Sequence, residues 1–268
     1  IFYYDGEWVH CTRGGIGAHT KWSHSESFHT MFQECISFPY DILSKDCCYS
    51  FVMKHANNRI VSPVMEHSAW LVESYNFSND LIKRVPPIDY PTHPDLHTLE
   101  TTLDVHSKFG SPQEYIKQVL NLSNDLHYAI KGFTMKFQNE RYSYINPNYL
   151  YVEGLKPNTN SPYLNYLELR QNGNLKQYLR YYPEYISQFN DYRDNLHKLS
   201  NDLYSCYKDV HVFKTKEKPD IPYHFKPLIY EIHGNYLQSK TPTSWNDIKS
   251  YIYHLPPKKL MFVLNYCD

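Results

Sequence analysis

Residues 189–210, FNDYRDNLHKLSNDLYSCYKDV, decide the fold of the second half of this chain. Phe189, Tyr192, Leu196, Leu199, Leu203, Cys206 and Val210 advance alternately by three and four, which puts them all on one face of an α-helix. Three heptads are the lower limit for a coiled coil, so this stripe is expected to pack on neighbouring helices of the same chain. Helical texture begins at Pro162. Downstream, the charged stretch Lys214 to Pro222 reads as a linker. Ser244 and Asp247 stand at the N-cap and N3 positions of a capping box whose helix runs towards His254, and Pro256-Pro257 stops it.

Before about residue 157 the pattern is that of a sheet. Asp5-Gly6 supplies a tight turn between two aromatic and β-branched runs, so Ile1 to Thr12 is expected to form a hairpin. Arg13-Gly14-Gly15-Ile16-Gly17 reads as a flexible loop. Phe28, Met31, Phe32, Cys35 and Ile36, with serines upstream, predict a short amphipathic helix. Tyr49 to His55 and Arg59 to Val64 read as strands flanking an Asn57-Asn58 turn, and Ala69 to Tyr75 as a third. Pro86, Pro87, Pro91 and Pro94 mark a loop. Ser111, Pro112 and Glu114 form a second capping-box signature ahead of Tyr115, Ile116, Val119 and Leu120. Ile130 to Phe137 and Tyr142 to Val152 return to strand across Asn139-Glu140. The expected fold is α+β: an antiparallel-sheet domain over 1–157 and an all-helical region over 158–268.

Composition limits the function. The 268 residues carry 27 Lys+Arg against 28 Asp+Glu, so no global field draws the protein to nucleic acid and any polyanion site has to be local. No run of about 18 uncharged apolar residues is present, so no membrane span is expected. Six cysteines without a CxxC pair do not read as a disulfide framework, which points to a reducing compartment such as the cytoplasm. Among the fifteen histidines, His93 and His97 have the i, i+4 spacing of helical metal ligands. They sit in a proline-rich loop with no third ligand, and no metal site is assigned. His19, His24 and His29 read as surface residues around a turn. Gly14-Gly15-Ile16-Gly17 lacks the ending of a phosphate-binding P-loop, and no nucleophile elbow or protein-kinase signature set is present.

Two longer blocks carry a resemblance. Tyr4-Asp5-Gly6-Glu7-Trp8-Val9-His10-Cys11-Thr12-Arg13, followed by Ala18, Trp22, Ser27-Phe28 and Phe32, resembles the stretch just beyond the nucleotide-accepting lysine of viral and phage-type ATP-dependent RNA ligases, members of the covalent nucleotidyltransferase superfamily. Tyr49 to Val61, with Asn58-Arg59-Ile60-Val61 at its end, resembles their next nucleotide-binding strand pair. Lys131-Gly132-Phe133-Thr134-Met135 and Tyr142 to Tyr149 stand where the family has a Glu-Gly strand and its last, lysine-bearing strand. The resemblance spans roughly residues 1–158.

That resemblance implies ATP and Mg²⁺ as cofactors, a covalent lysyl-AMP intermediate and RNA ends as substrate. The family's Lys-x-Asp-Gly nucleophile block is expected before Ile1, leaving the catalytic residue unknown in this chain. Val52 and Lys131 stand in place of carboxylates, and Ser143 and Ile145 in place of the two phosphate-binding lysines, with Lys136 as their substitute. Losing several such groups, at about 10² to 10³ in rate for each one, points to a catalytically degenerate ligase fold that binds nucleotide or RNA ends. Arg13, Lys21, Arg59, Lys131 and Lys136 are the candidate nucleotide or RNA contacts. Trp8 and Trp22 are expected to pack rather than stack on bases. The helical region is an accessory module open to a protein partner. Alternatives that remain open are an active ligase in which Lys136 and its neighbours fill the cationic roles, a non-enzymatic scaffold or virus-particle protein retaining the fold, and a capping-type guanylyltransferase.

Overall fold

The computed structural model describes residues 1–21, 26–78, 81–98, 117, 121, 126–137 and 140–265, with backbone alone at 78, 135–137 and 140–142. The fold is α+β, an antiparallel sheet in the N-terminal part followed by a helical C-terminal region. The chain divides into two compact units, Ile1–Glu153 and Gly154–Asp268.

In the first unit, β1 (Phe2–Asp5) and β2 (Glu7–Thr12) pair across Gly6, whose φ of 73° is open to glycine at no steric cost. The loop expected at Arg13 to Gly17 is in fact a second tight turn. Gly15 and Ile16 form β3, paired with Thr12 and Cys11, because two adjacent glycines let the chain reverse at once. Ser27 caps α1 (Phe28–Glu34), its hydroxyl accepting from the Thr30 amide at 3.1 Å, and the helix buries Met31 with Cys35 just beyond it.

β4 (Cys47–Lys54) corrects one expectation. Its partner is β5 (Ser68–Ser78), from Cys47↔Asn76 to Lys54↔Ser68, and no strand forms over Arg59 to Val64. Two side chains hold that segment out of the sheet by bonding locally: His55 Nδ1 accepts from the Asn57 amide at 3.2 Å, and the Arg59 guanidinium donates to the Val61 carbonyl at 3.1 and 3.2 Å. β6 (Leu81–Arg84) and the parallel β7 (His97–Thr98) complete a seven-stranded sheet ordered β3-β2-β1-β4-β5-β6, with β7 on β5. Phe2, Phe38, Tyr49, Leu71, Tyr90 and Leu96 fill the core beneath it, and Trp8 stacks on Phe2 at 4.8 Å.

A separate two-stranded sheet pairs β8 (Gly132–Phe137) with β9 (Glu140–Ile145). The strand expected to continue to Val152 ends at Ile145, and Pro147–Leu155 is a helix, α2. Asn146 makes the change: its side-chain oxygen accepts from the Asn148 amide at 2.9 Å, Pro147 suits the first helical turn, and its buried amide group donates to the carbonyls of His127 and Ile130. The capping-box signature at Ser111 to Glu114 with its apolar stripe, and Trp22, His24 and Asn139, lie outside the described residues.

The second unit contains α3 (Pro162–Gln171), α4 (Leu175–Tyr181), α5 (Ile186–Tyr207), α6 (Lys226–Ser239), α7 (Trp245–His254) and α8 (Pro257–Leu264). The stripe on α5 is buried at Phe189, Leu196, Leu199, Leu203 and Cys206, and Val210 follows in a π-type turn over Lys208–Val212. Tyr178 stacks on Tyr182 at 4.5 Å and lies 5.8 Å from Phe189, so this core is built largely of rings. The capping box forms as expected: Ser244 Oγ accepts from the Asp247 amide, and Asp247 Oδ2 from the Ser244 amide. Pro257 does more than stop α7, since it opens α8 at the position where a missing amide costs nothing.

Candidate functional site

A cavity of about 120 Å³ lies under the β1–β2 hairpin of the sheet unit. His10, Cys11 and Thr12 of β2 form one wall, Phe28 and Phe32 of α1 a second, and Phe51 and Met53 of β4 a third. The register of β4 against β5 skips at Ser50/Phe51, leaving Val72 unpaired. Phe51 and Met53 are half-buried there, while Val52 between them is 50% exposed.

His10 is the aromatic ring of this wall. Its ring stacks on Phe2 at 4.6 Å and meets the edge of Phe32 at 4.8 Å, and its Nδ1 lies 2.6 Å from Nδ1 of His29. One of the two imidazoles donates and the other accepts, so the accepting ring is neutral in this arrangement. The Nε2 of His10 is buried with no hydrogen-bond partner among the described residues. Burial, reinforced by the neighbouring His29, pushes the His10 pKa down to about 4. The consequence for stability has a definite sign. In the unfolded chain His10 takes up its proton near 6.5 and in the folded chain only near 4, so the unfolded state binds more protons between those values. Stability is therefore full above pH 6.5 and falls as pH drops towards 4, by on the order of 2–3 kcal/mol from this group. Urea midpoints measured from pH 7 to pH 4 should decline less steeply for His10→Gln than for the unaltered protein; equal slopes would remove His10 as the cause.

The expected contact residues lie on several elements of the sheet unit. Arg13 is exposed on the turn between β2 and β3, one residue beyond Thr12 of the cavity wall, and Lys21 is exposed further along the same segment. Arg59 is half-buried, with its guanidinium turned onto its own backbone. Lys131 is exposed, its ammonium 5.7 Å from the Tyr149 ring, and the Lys136 backbone pairs with Arg141; these two belong to the separate two-stranded hairpin and its approach. Ser143 is exposed and within 3.4 Å of the Thr134 hydroxyl, and Ile145 is 42% exposed.

A second cluster was not legible from spacing. Glu34, His55 and His67 bring one potential metal-ligand atom each within 4.8 Å of the others. His55 is buried, its Nε2 is 2.8 Å from Glu34 Oε2, and the His67 ring lies 3.8 Å from its own. Because His55 Nδ1 already accepts from the Asn57 amide, the ring proton sits on Nε2 and points at the carboxylate. The pattern is that of a hydrogen-bonded imidazole–carboxylate pair tying α1 to the end of β4. His93 and His97 do different jobs: His93 Nδ1 accepts from the Asp95 amide, and His97 stacks on Trp70 at 5.0 Å. Cys11, Cys35, Cys47, Cys48 and Cys206 are free thiols.

The donor set around the cavity is informative about the implied cofactors. Among the described residues no carboxylate lines it, whereas Mg²⁺ demands oxygen ligands, so the wall does not fit that ion. It fits a flat heteroaromatic group, with rings and a thioether on its sides. Comparison with protein-family models, curated proteins and solved structures finds no match to this chain. No helix among the described residues is long and apolar enough to cross a membrane.

Proposed function

We propose that the sheet unit is a ligase-like nucleotide-binding domain that holds the base of an adenine nucleotide without catalysing its transfer. One observation carries the reading: residues from both sequence blocks that resemble RNA ligases, His10 to Thr12 and Phe51 to Met53, meet on the walls of a single cavity, joined by Phe28 and Phe32. At about 120 Å³ it is smaller than the roughly 300–1,000 Å³ of a site for a drug-sized ligand, so it takes a base and leaves the ribose and phosphates outside. Arg13 and Lys21, exposed beyond the wall, are then the cations to meet those phosphates. Neutral His10 places an uncharged ring on the cavity wall. Val52 and Lys131, in the places of carboxylates, support binding without turnover.

The test combines titration calorimetry with the intact mass of the protein after incubation with ATP and Mg²⁺. Adenosine, AMP and ATP are expected to bind with affinities within about tenfold of one another, since the base supplies the contacts, and no adenylyl adduct should appear. Met53→Trp, which fills the cavity from a half-buried position, is expected to weaken all three by about tenfold or more while the melting temperature stays within a few degrees. A covalent adduct on any lysine would replace this reading with an active ligase. Preference for GTP would favour the capping-type enzyme, and loss of all nucleotide binding the scaffold.

A further inference from the structure

A second cleft, of about 230 Å³, opens among three helices of the C-terminal unit. Each helix contributes one face: Tyr166 and Arg170 from α3, Arg193, His197 and Ser200 from α5, and Lys249 and Tyr253 from α7. The spacings are i, i+4 on α3 and α7 and i, i+4, i+7 on α5, so the grouping follows from helical geometry once the helices pack.

The charge of this cleft is one-sided. Arg170, Arg193 and Lys249 line it together with His197, and no carboxylate does so among the described residues. Arg193 pairs with Asp194 at 3.1 Å, but both are exposed, and such a pair contributes little. Arg170 is half-buried, its guanidinium 4.6 Å from the Tyr253 ring, and no carboxylate among the described residues pairs with it. Burial draws its pKa down. Desolvating a guanidinium beside two further cations opposes folding unless an anion returns the lost solvation. Guanidinium forks match phosphate oxygens in pairs, and the exposed Tyr253 ring gives the ester group of a phosphate an aromatic surface to lie on.

We propose that this cleft is a binding site for a terminal phosphate monoester, held by Arg170, Arg193 and Lys249 against Tyr253. The cleft belongs to the helical unit, and the base cavity to the sheet unit. Its ligand is either a 5′-phosphorylated nucleic-acid end or a free phosphate compound, which share the same dianionic group.

The experiment uses the whole chain and fluorescence anisotropy of a short single-stranded RNA, with and without a 5′-phosphate. Removing the phosphate is expected to weaken binding about tenfold, and Arg193→Gln or Lys249→Gln about fivefold each, as for loss of one charge-assisted contact. Both residues are exposed, so the melting temperature should not move. Arg170→Lys, which keeps the charge and loses the fork, should bind as weakly as Arg170→Gln. Arg180→Gln on α4, the same change of charge at a residue outside the cleft, should bind normally. Inorganic pyrophosphate provides the second arm: competition at low millimolar concentration assigns the site to free phosphate compounds, and retained phosphate dependence without competition assigns it to the RNA end. Equal weakening by Arg180→Gln and Arg193→Gln, or RNA binding indifferent to the 5′-phosphate, would overturn the proposal.

Discussion

Gly132→Ala should destabilise the protein by about 3 kcal/mol or more, the sum of backbone strain and an overlap that cannot relax. Gly132 opens β8 with φ at 144°, a region closed to residues with a Cβ. A Cβ there would overlap the Tyr144 carbonyl oxygen and press on Ile145 Cα at 3.0 Å, and both belong to the backbone of the facing strand. The hairpin end cannot move aside, because the Asn146 amide donates to the Lys131 carbonyl at 2.8 Å and the Asn146 side chain holds the Ile130 carbonyl at 2.9 Å. The reason for glycine at this position is a close approach of two backbones. Denaturant midpoints decide the matter. A variant within 1 kcal/mol of the unaltered protein would show that the strands separate freely at this end.

Leu203→Ala should cost about 3–5 kcal/mol, the range for a buried leucine whose site cannot collapse. Leu203 has no exposed surface, and Leu199, Cys206 and Leu196 on the same stripe are all buried. α5 packs along α7, where Ile248 and Ile252 are 0% and 1% exposed, so the void would be lined by rigid helical neighbours. Leu203→Met, which preserves volume, should cost less than about 1.5 kcal/mol. Comparable losses for both variants would mean that the site tolerates no change of shape, and a negligible loss for Leu203→Ala would mean that the helices close over the gap.

Both predictions rest on features of different legibility. The Leu203 stripe can be read directly, because a helix brings residues three and four apart together whatever surrounds it. The Asp5-Gly6 hairpin and the Ser244–Asp247 capping box are legible for the same reason: the groups that interact lie within a few residues. The partner of β4 is not of that kind. Asn57-Asn58 has the composition of a hairpin turn, but the His55 and Arg59 side chains bond to nearby backbone and the ladder is completed by β5, beyond an irregular segment. Likewise, Asn146 turns a strand-like run into a helix through bonds to His127 and Ile130, many residues upstream.

The sites divide in the same way. The two blocks around His10 and Phe51 are visible as stretches of sequence, while their meeting on one cavity depends on β1 lying between β2 and β4. Glu34, His55 and His67 have no telling spacing, and neither do Arg170, Arg193 and Lys249. What the amino-acid order determined by itself was the α+β class, the helix faces, the caps and the tight turns, since dihedral preference and side-chain period act locally. Only the tertiary structure decided which strand pairs with which, that His10 is buried and neutral, and that three cations from separate helices share one cleft. Those outcomes depend on desolvation and Coulomb energies between groups far apart in the chain, which have no value until packing sets the distances.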